Sequence, residues 1–122
     1  MIDHVELRTG HLEEAVQFYR AVLRPLGYEM VVDGKSKGFG AGDAPDFFLV
    51  PGEPVDKTHY AFRASSRSLV RACCDAGSKL GALDRVPALA PHVHPTYYAG
   101  YLRDPDGRLV EFTCHADETQ NG

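Results

Sequence analysis

Two histidines open short segments of the same design. His4 begins HVELR and His59 begins HYAFR, and in each segment apolar and polar residues alternate at the two-residue period of a strand. Val5 and Leu7, like Tyr60 and Phe62, point to one face; His4, Glu6 and Arg8, like His59, Ala61 and Arg63, point to the other. A third alternating segment, Arg108 to His115, sets Val110, Phe112 and Cys114 against Leu109, Glu111, Thr113 and His115. If the apolar faces are covered, two imidazoles and one carboxylate gather on the uncovered face. A glutamate between Val110 and Phe112 is costly to bury unless it is paired or bound to a cation. Two imidazoles and a carboxylate make a facial set that holds Fe(II), Mn(II), Zn(II) or Ni(II) while leaving positions open for a substrate. His4, His59 and Glu111 are therefore the candidate ligands of one divalent transition metal. A strand-end histidine is ordinarily a hydrogen-bonded surface residue; what singles these two out is that they start equivalent strands.

The elements that must position them recur. After HVELR, Thr9 is placed to cap a helix with Glu13 and Glu14 near its positive end. Leu12, Ala15, Val16, Tyr19, Val22, Leu23 and Leu26 form its apolar stripe, and Pro25 and Gly27 mark its end. Tyr28 to Val32 and Asp46 to Val50 read as strands, with a glycine-rich stretch from Gly34 to Gly42 between them that allows a hairpin. PGEP at 51–54 is a turn-rich joint. The order then repeats: HYAFR, a helix capped by Ser65 or Ser66 with Leu69, Ala72, Cys73, Ala76 and Leu80 as its stripe, and Gly77 as a possible stop. A long proline-bearing connection, VPALAPHVHP, leads to two apolar strands around Asp104-Pro105-Asp106-Gly107, the chemistry of a type I turn. The expected organisation is one domain over 1–122: a first module at 1–50, a joint at 51–57, a second module at 58–115 and a polar tail at 116–122.

Composition narrows the function class. The chain has 122 residues, 43% hydrophobic and 25% charged, enough for one core. A net charge of −4 argues against nonspecific nucleic-acid binding, which needs a basic field. No apolar run reaches the length of a membrane span, and the N-terminus lacks the pattern of a secretory signal. Three cysteines, two of them adjacent at 73 and 74, are no disulfide framework, and a cytoplasmic location is expected. Both adjacent cysteines are expected in the core of the second helix.

Several further residues can serve the uncovered face. His92 and His94, two apart, project the same way if the segment is extended, as substrate contacts or, for His94, as an acid/base group. Of Tyr97 and Tyr98, one is expected to pack and one to line the cavity. Arg63 can meet a carboxylate substrate. Gly34 to Gly42 does not follow the plan of a phosphate-binding loop, and no serine or cysteine nucleophile with a positioned base is evident.

HVELR, FYRAVLRPLGY, HYAFR and YYAGYLRDPDGRLVEF together resemble the vicinal oxygen chelate superfamily, whose members include glyoxalase I, extradiol dioxygenases, fosfomycin-resistance transferases and bleomycin-resistance proteins. The resemblance covers nearly the whole chain, and DPDG followed by a strand glutamate is its most specific part. It implies an α+β fold of two βαβββ modules forming an open, eight-stranded, cup-shaped mixed sheet, commonly in a homodimer. It implies metal ligands at His4, His59 and Glu111, with Glu111 also able to move a proton, and a small-molecule substrate. One departure stands out. Glyoxalase I has a fourth ligand in the last strand of its first module, and that slot falls here on Phe48, which cannot bind metal but can touch a substrate. The implied activity is a glyoxalase-like lyase or isomerase. The alternatives are an extradiol-type ring-cleaving dioxygenase, and a metal-free antibiotic- or small-ligand-binding protein. Whether the modules pair within one chain or between two stays open at this level.

Overall fold

The computed structural model describes residues 1–54 and 59–118. Positions 55–57 of the expected joint, 58 at the start of the expected second module and 119–122 of the expected tail lie outside the described residues. The element order is β1 (Val5–Thr9), α1 (Leu12–Leu23), β2 (Tyr28–Asp33), β3 (Lys37–Ala41), β4 (Phe47–Pro51), then β5 (Tyr60–Arg63), α2 (Arg67–Lys79), β6 (Leu83–Leu89), β7 (Tyr98–Arg103) and β8 (Leu109–Cys114). The eight strands divide into two four-stranded mixed sheets of the same plan, β1-β4-β3-β2 and β5-β8-β7-β6. In each, the first strand pairs in parallel with the last, and the remaining pairs are antiparallel.

Alternation decides which face each helix covers. Leu7, Phe39, Phe47 and Leu49 of the first sheet, and Leu102, Val110, Phe112 and Cys114 of the second, are buried with α1 and α2 in one continuous core. Phe62 on β5 joins the halves: its ring lies 5.3 Å from Phe47 and stacks at 5.6 Å on Phe112. Phe62 is half-buried, whereas Phe47 and Phe112 are fully buried, each burial stabilising by about 1.5–3 kcal/mol. The two helices lie against each other, so within one chain the modules meet through their helix-covered sides.

A polar lock reinforces that joint. The side chain of Asp104 is fully buried; its Oδ2 accepts from the Tyr19 hydroxyl at 2.6 Å and from Arg108 Nη1 at 2.9 Å. Arg108 Nη2 also donates to the backbone carbonyl of Arg8, and Asp106 Oδ1 accepts from the Gly10 amide at 3.1 Å. The hairpin turn of the second module thus holds the end of β1 and the start of α1 in the first. Desolvation and the adjoining Asp104 carboxylate hold the Tyr19 phenol well above the ordinary tyrosine range.

Several local expectations need correction. Thr9 closes β1 instead of capping α1: its hydroxyl accepts from the His11 amide at 3.0 Å, and His11 is the N-cap residue, without a side-chain cap bond. Ser66 caps α2, accepting from the Leu69 amide at 3.2 Å. Gly77 lies inside α2, because a Cβ there would stand 2.4 Å from Leu102 Cδ1; Gly81, at φ 73°, follows the helix end. The buried face of α2 is Val70, Cys73, Cys74 and Gly77, while Ala72 and Leu80 are exposed. Phe18 joins the buried face of α1. The connection VPALAPHVHP contains most of β6. Pro87 is accommodated because β6 is an edge strand whose register shifts between Arg85 and Ala88, where a missing N–H costs no ladder bond.

Candidate functional site

The face of the second sheet away from α2 carries a buried carboxylate. Glu111, on β8, is only 3% exposed and lies opposite Ala61 of β5 and Tyr101 of β7. Its Oε1 stands 2.7 Å from His59 Nε2, immediately before β5, and its Oε2 accepts from the Tyr97 hydroxyl at 2.5 Å. Burial, then the hydrogen bond to Glu111, raises the Tyr97 phenol above the usual tyrosine value. Burial, then the negative charge of Glu111, does the same to Tyr101. A charge that would be costly alone is met by an imidazole and two phenols. Arg85 stacks over Tyr101, its guanidinium carbon 4.6 Å from the ring centre.

A second group adjoins it. His94 and His115 stack with ring centres 5.1 Å apart, and His94 Nε2 lies 3.0 Å from His115 Nδ1. The edge of Tyr97 meets both rings, at 5.3 and 5.0 Å. His92 is exposed and does not share the direction of His94. Residues 90–97 turn twice instead of running extended, with Val93 N donating to Ala90 O and Tyr97 N to His94 O, so the two-residue period fails there. Tyr98 belongs to the other face: it lies beneath Arg67 and Arg71 of α2, with the Arg67 guanidinium carbon 5.4 Å from its ring. Successive strand residues alternate, so Tyr97 reaches Glu111 and Tyr98 packs. Arg63 ends β5 exposed, level with Thr113.

His4 stands apart from this cluster. Its Nδ1 lies 2.7 Å from Asp3 Oδ1 and its ring meets the edge of Phe48 at 5.5 Å. His4 and His59 border one open cleft of about 380 Å³, walled by Val5, Phe47, Tyr60 and Phe62, but the His59 ring turns to Glu111. Among the described residues no three His, Cys, Asp or Glu side chains stand close enough to hold a metal ion. The larger cleft, about 430 Å³, lies between α1 and the start of β6 and is remote from this chemistry; its Asp104 and Arg103 are already engaged.

The donor set can be judged against a divalent metal. His59 Nε2 and Glu111 Oε1 converge, and Tyr97 occupies Oε2, so the carboxylate is set for a single-oxygen contact; an imidazole and a carboxylate suit borderline divalent ions. The proton now between them would have to leave, since ligands bind deprotonated. His59 and Glu111 thus converge, and among the described residues His4 does not join them.

A sequence model of the Glyoxalase/Bleomycin resistance protein/Dioxygenase superfamily matches residues 1–112. The chain belongs to this family. A glyoxalase/bleomycin resistance protein from Albidiferax ferrireducens T118 superposes with a TM-score of 0.79 at 26% identity, over 92% of this chain and 97% of that one. A lactoylglutathione lyase from Agrobacterium tumefaciens gives 0.70 at 24% identity, over 93% and 92%. A fosfomycin resistance protein from Mesorhizobium loti gives 0.70 at 19%, over 100% and 98%; these last two likenesses concern the fold. No curated protein matches the sequence. No helix among the described residues is long and apolar enough to cross a membrane.

Tyr101 and His115 were not among the sequence candidates. Alternation already put His115 on the face of Glu111, but Tyr101 needed the β7–β8 register to be found.

Proposed function

We propose that the chain is a metal-dependent enzyme acting on a small molecule that presents two adjacent oxygens, with glyoxalase-like lyase or isomerase chemistry, and that its site is completed in a homodimer. His59 and Glu111 of one chain and His4 of a second copy would hold one divalent ion, of the Fe, Mn, Zn or Ni class. The bound ion would supply Lewis acidity, stabilising negative charge that develops on the substrate oxygens. Glu111 Oε1, the oxygen that Tyr97 leaves free, would face the ion at rest and would take a proton from a substrate carbon only when released from it. The single observation that carries the reading is the buried Glu111 carboxylate aimed at His59 Nε2 on the open face.

Metal content of untagged protein tests it. We expect about one transition metal per chain, lost in both His59→Ala and His4→Ala. Refolding these two variants together should restore about a quarter of the sites, because half of the dimers would be mixed and each would carry one intact site. No metal in the parent protein after soaking in Fe(II), Ni(II) or Zn(II) would leave a metal-free binding protein. Metal without restoration on mixing would place all ligands in one chain.

The phenyl group at Phe48 favours a second reading, since it leaves three ligands in place of four, as in ring-cleaving dioxygenases. Oxygen uptake with catechols, set against hemithioacetal turnover, separates the two activities.

A further inference from the structure

We infer that His94 and His115 form a clasp that positions Tyr97, and through it the Glu111 carboxylate. The functional part of this inference rests on reading His59 and Glu111 as the centre of the site.

The protons can be assigned from the donors around the pair. The Thr96 amide can only donate, and it points at His94 Nδ1 from 3.3 Å, so that nitrogen carries a lone pair. The Thr96 hydroxyl donates to the backbone carbonyl of His115 at 2.8 Å, tying the loop to the end of β8. The single proton of neutral His94 then sits on Nε2 and points to His115 Nδ1 at 3.0 Å. His115 Nδ1 must accept, and its own proton sits on Nε2. Both rings are therefore Nε2–H tautomers. Thr96 Oγ1 also lies 3.3 Å from His94 Nδ1, so the loop closes on that nitrogen with two atoms.

What the pair holds is Tyr97. Its ring edge packs against both imidazoles, nearly perpendicular to each, at 85° and 89°. Its hydroxyl fixes Glu111 Oε2, which leaves Oε1 for His59. Tyr97 of the same loop stands between the clasp and Glu111 of β8, which His59 and Tyr101 of the neighbouring strands flank. If the clasp opens, Glu111 loses its fixed donor and with it its orientation. Tyr97, His94 and His115 are positioning residues in this scheme, acting through Glu111.

The test has two arms on the full chain. In metal-free protein, imidazole ¹H–¹⁵N spectra should show Nε2–H tautomers for both rings, with a scalar coupling from the His94 Nε2 proton to His115 Nδ1 across their hydrogen bond. An Nδ1–H tautomer at His94, or no coupling between the rings, overturns the clasp whether or not metal binds. In the second arm, Ni(II) alone is titrated calorimetrically. Tyr97→Phe and His115→Phe should each weaken binding about 10–100-fold. His115→Gln, which can still accept from His94 Nε2, should restore affinity. Equal affinity in all four proteins overturns the positioning role. So does paramagnetic Co(II) relaxing the His94 and His115 rings as strongly as His59, since they would then be ligands. Failure of the parent protein to bind Ni(II) would reject the metal reading and the positioning role with it, and the spectra would still decide the clasp.

Discussion

Across β1, β4 and β3 of the first sheet, Glu6, Phe48 and Gly38 lie side by side; across β5, β8 and β7 of the second, Ala61, Glu111 and Tyr101 hold the same stations. The histidine preceding each first strand touches the middle residue in both cases, His4 on the edge of Phe48 and His59 on the Glu111 carboxylate. In the first row a glycine makes room for a phenyl ring, and the only carboxylate, Glu6, is exposed. In the second a phenol shelters a buried carboxylate from water. One backbone plan thus carries an apolar half-site and a charged half-site. The charge is tolerated only where neighbouring strands bring donors to it.

The comparison can be broken most severely at the joint that both halves share. Arg108→Met would leave the Asp104 carboxylate buried without its cation, and should lower stability by about 3–5 kcal/mol, read from the urea unfolding midpoint. A loss below about 1 kcal/mol, the range of an exposed pair, would mean that the lock is not what seats the second hairpin on the first module.

A smaller effect sharpens the fit of the apolar row. An added Cβ at Gly38 would stand 2.7 Å from Phe48 Cε1 and 3.0 Å from Val32 Cβ, so Gly38→Ala should cost about 1–3 kcal/mol. Adding Phe48→Ala should recover part of that loss, giving a double-mutant cycle with marked coupling. Strict additivity would show that Phe48 is not packed over the glycine.

The smallest effect concerns the charged row and is read by absorbance. Phenols with raised pKa values bind protons in the folded state that the unfolded chain has released. Stability contributed by Tyr19, Tyr28, Tyr97 and Tyr101 is therefore fully present below the ordinary tyrosine pKa and lost as pH rises through the folded values. Tyr28, held up to about 12 by burial and then its bond to Asp46, serves as the reference. Glu111→Gln should bring the titrations of Tyr97 and Tyr101 down toward the ordinary value and leave Tyr19 and Tyr28 unmoved. An unchanged phenolate titration would detach both phenols from the carboxylate.

Much of the architecture was legible in the chain. Alternation in HVELR, HYAFR and RLVEFTCH assigned the faces, and the DPDG turn closes as its residues require, with Gly107 at φ 84° and its amide donating to Asp104 O at 2.9 Å. The slot of Phe48 could be placed opposite that of Glu111 before any register was known. Helix phase was less legible. Cys73 and Cys74 are buried in the core as expected, but Val70 was not in the expected stripe and Ala72 and Leu80 were, because small residues around the helix gave the pattern little contrast and the packing of β7 chose the face.

Local periodicity is a property of the backbone, and so the sequence by itself determined where strands and helices run, which side chains share a face, and that two histidines and one glutamate lie on uncovered faces. Only tertiary packing decided which of those side chains meet. Parallel pairing of the first and last strands within each sheet sets His4 against Phe48 and His59 against Glu111, and the packing of the modules within one chain leaves the two histidines with different partners. The turns at 90–97 carry His94 to His115 and Tyr97 to the carboxylate, contacts between residues 21 and 14 positions apart. Such meetings depend on turn geometry and on the seating of one sheet's edge against its neighbours, and neither is written in the period of a single segment.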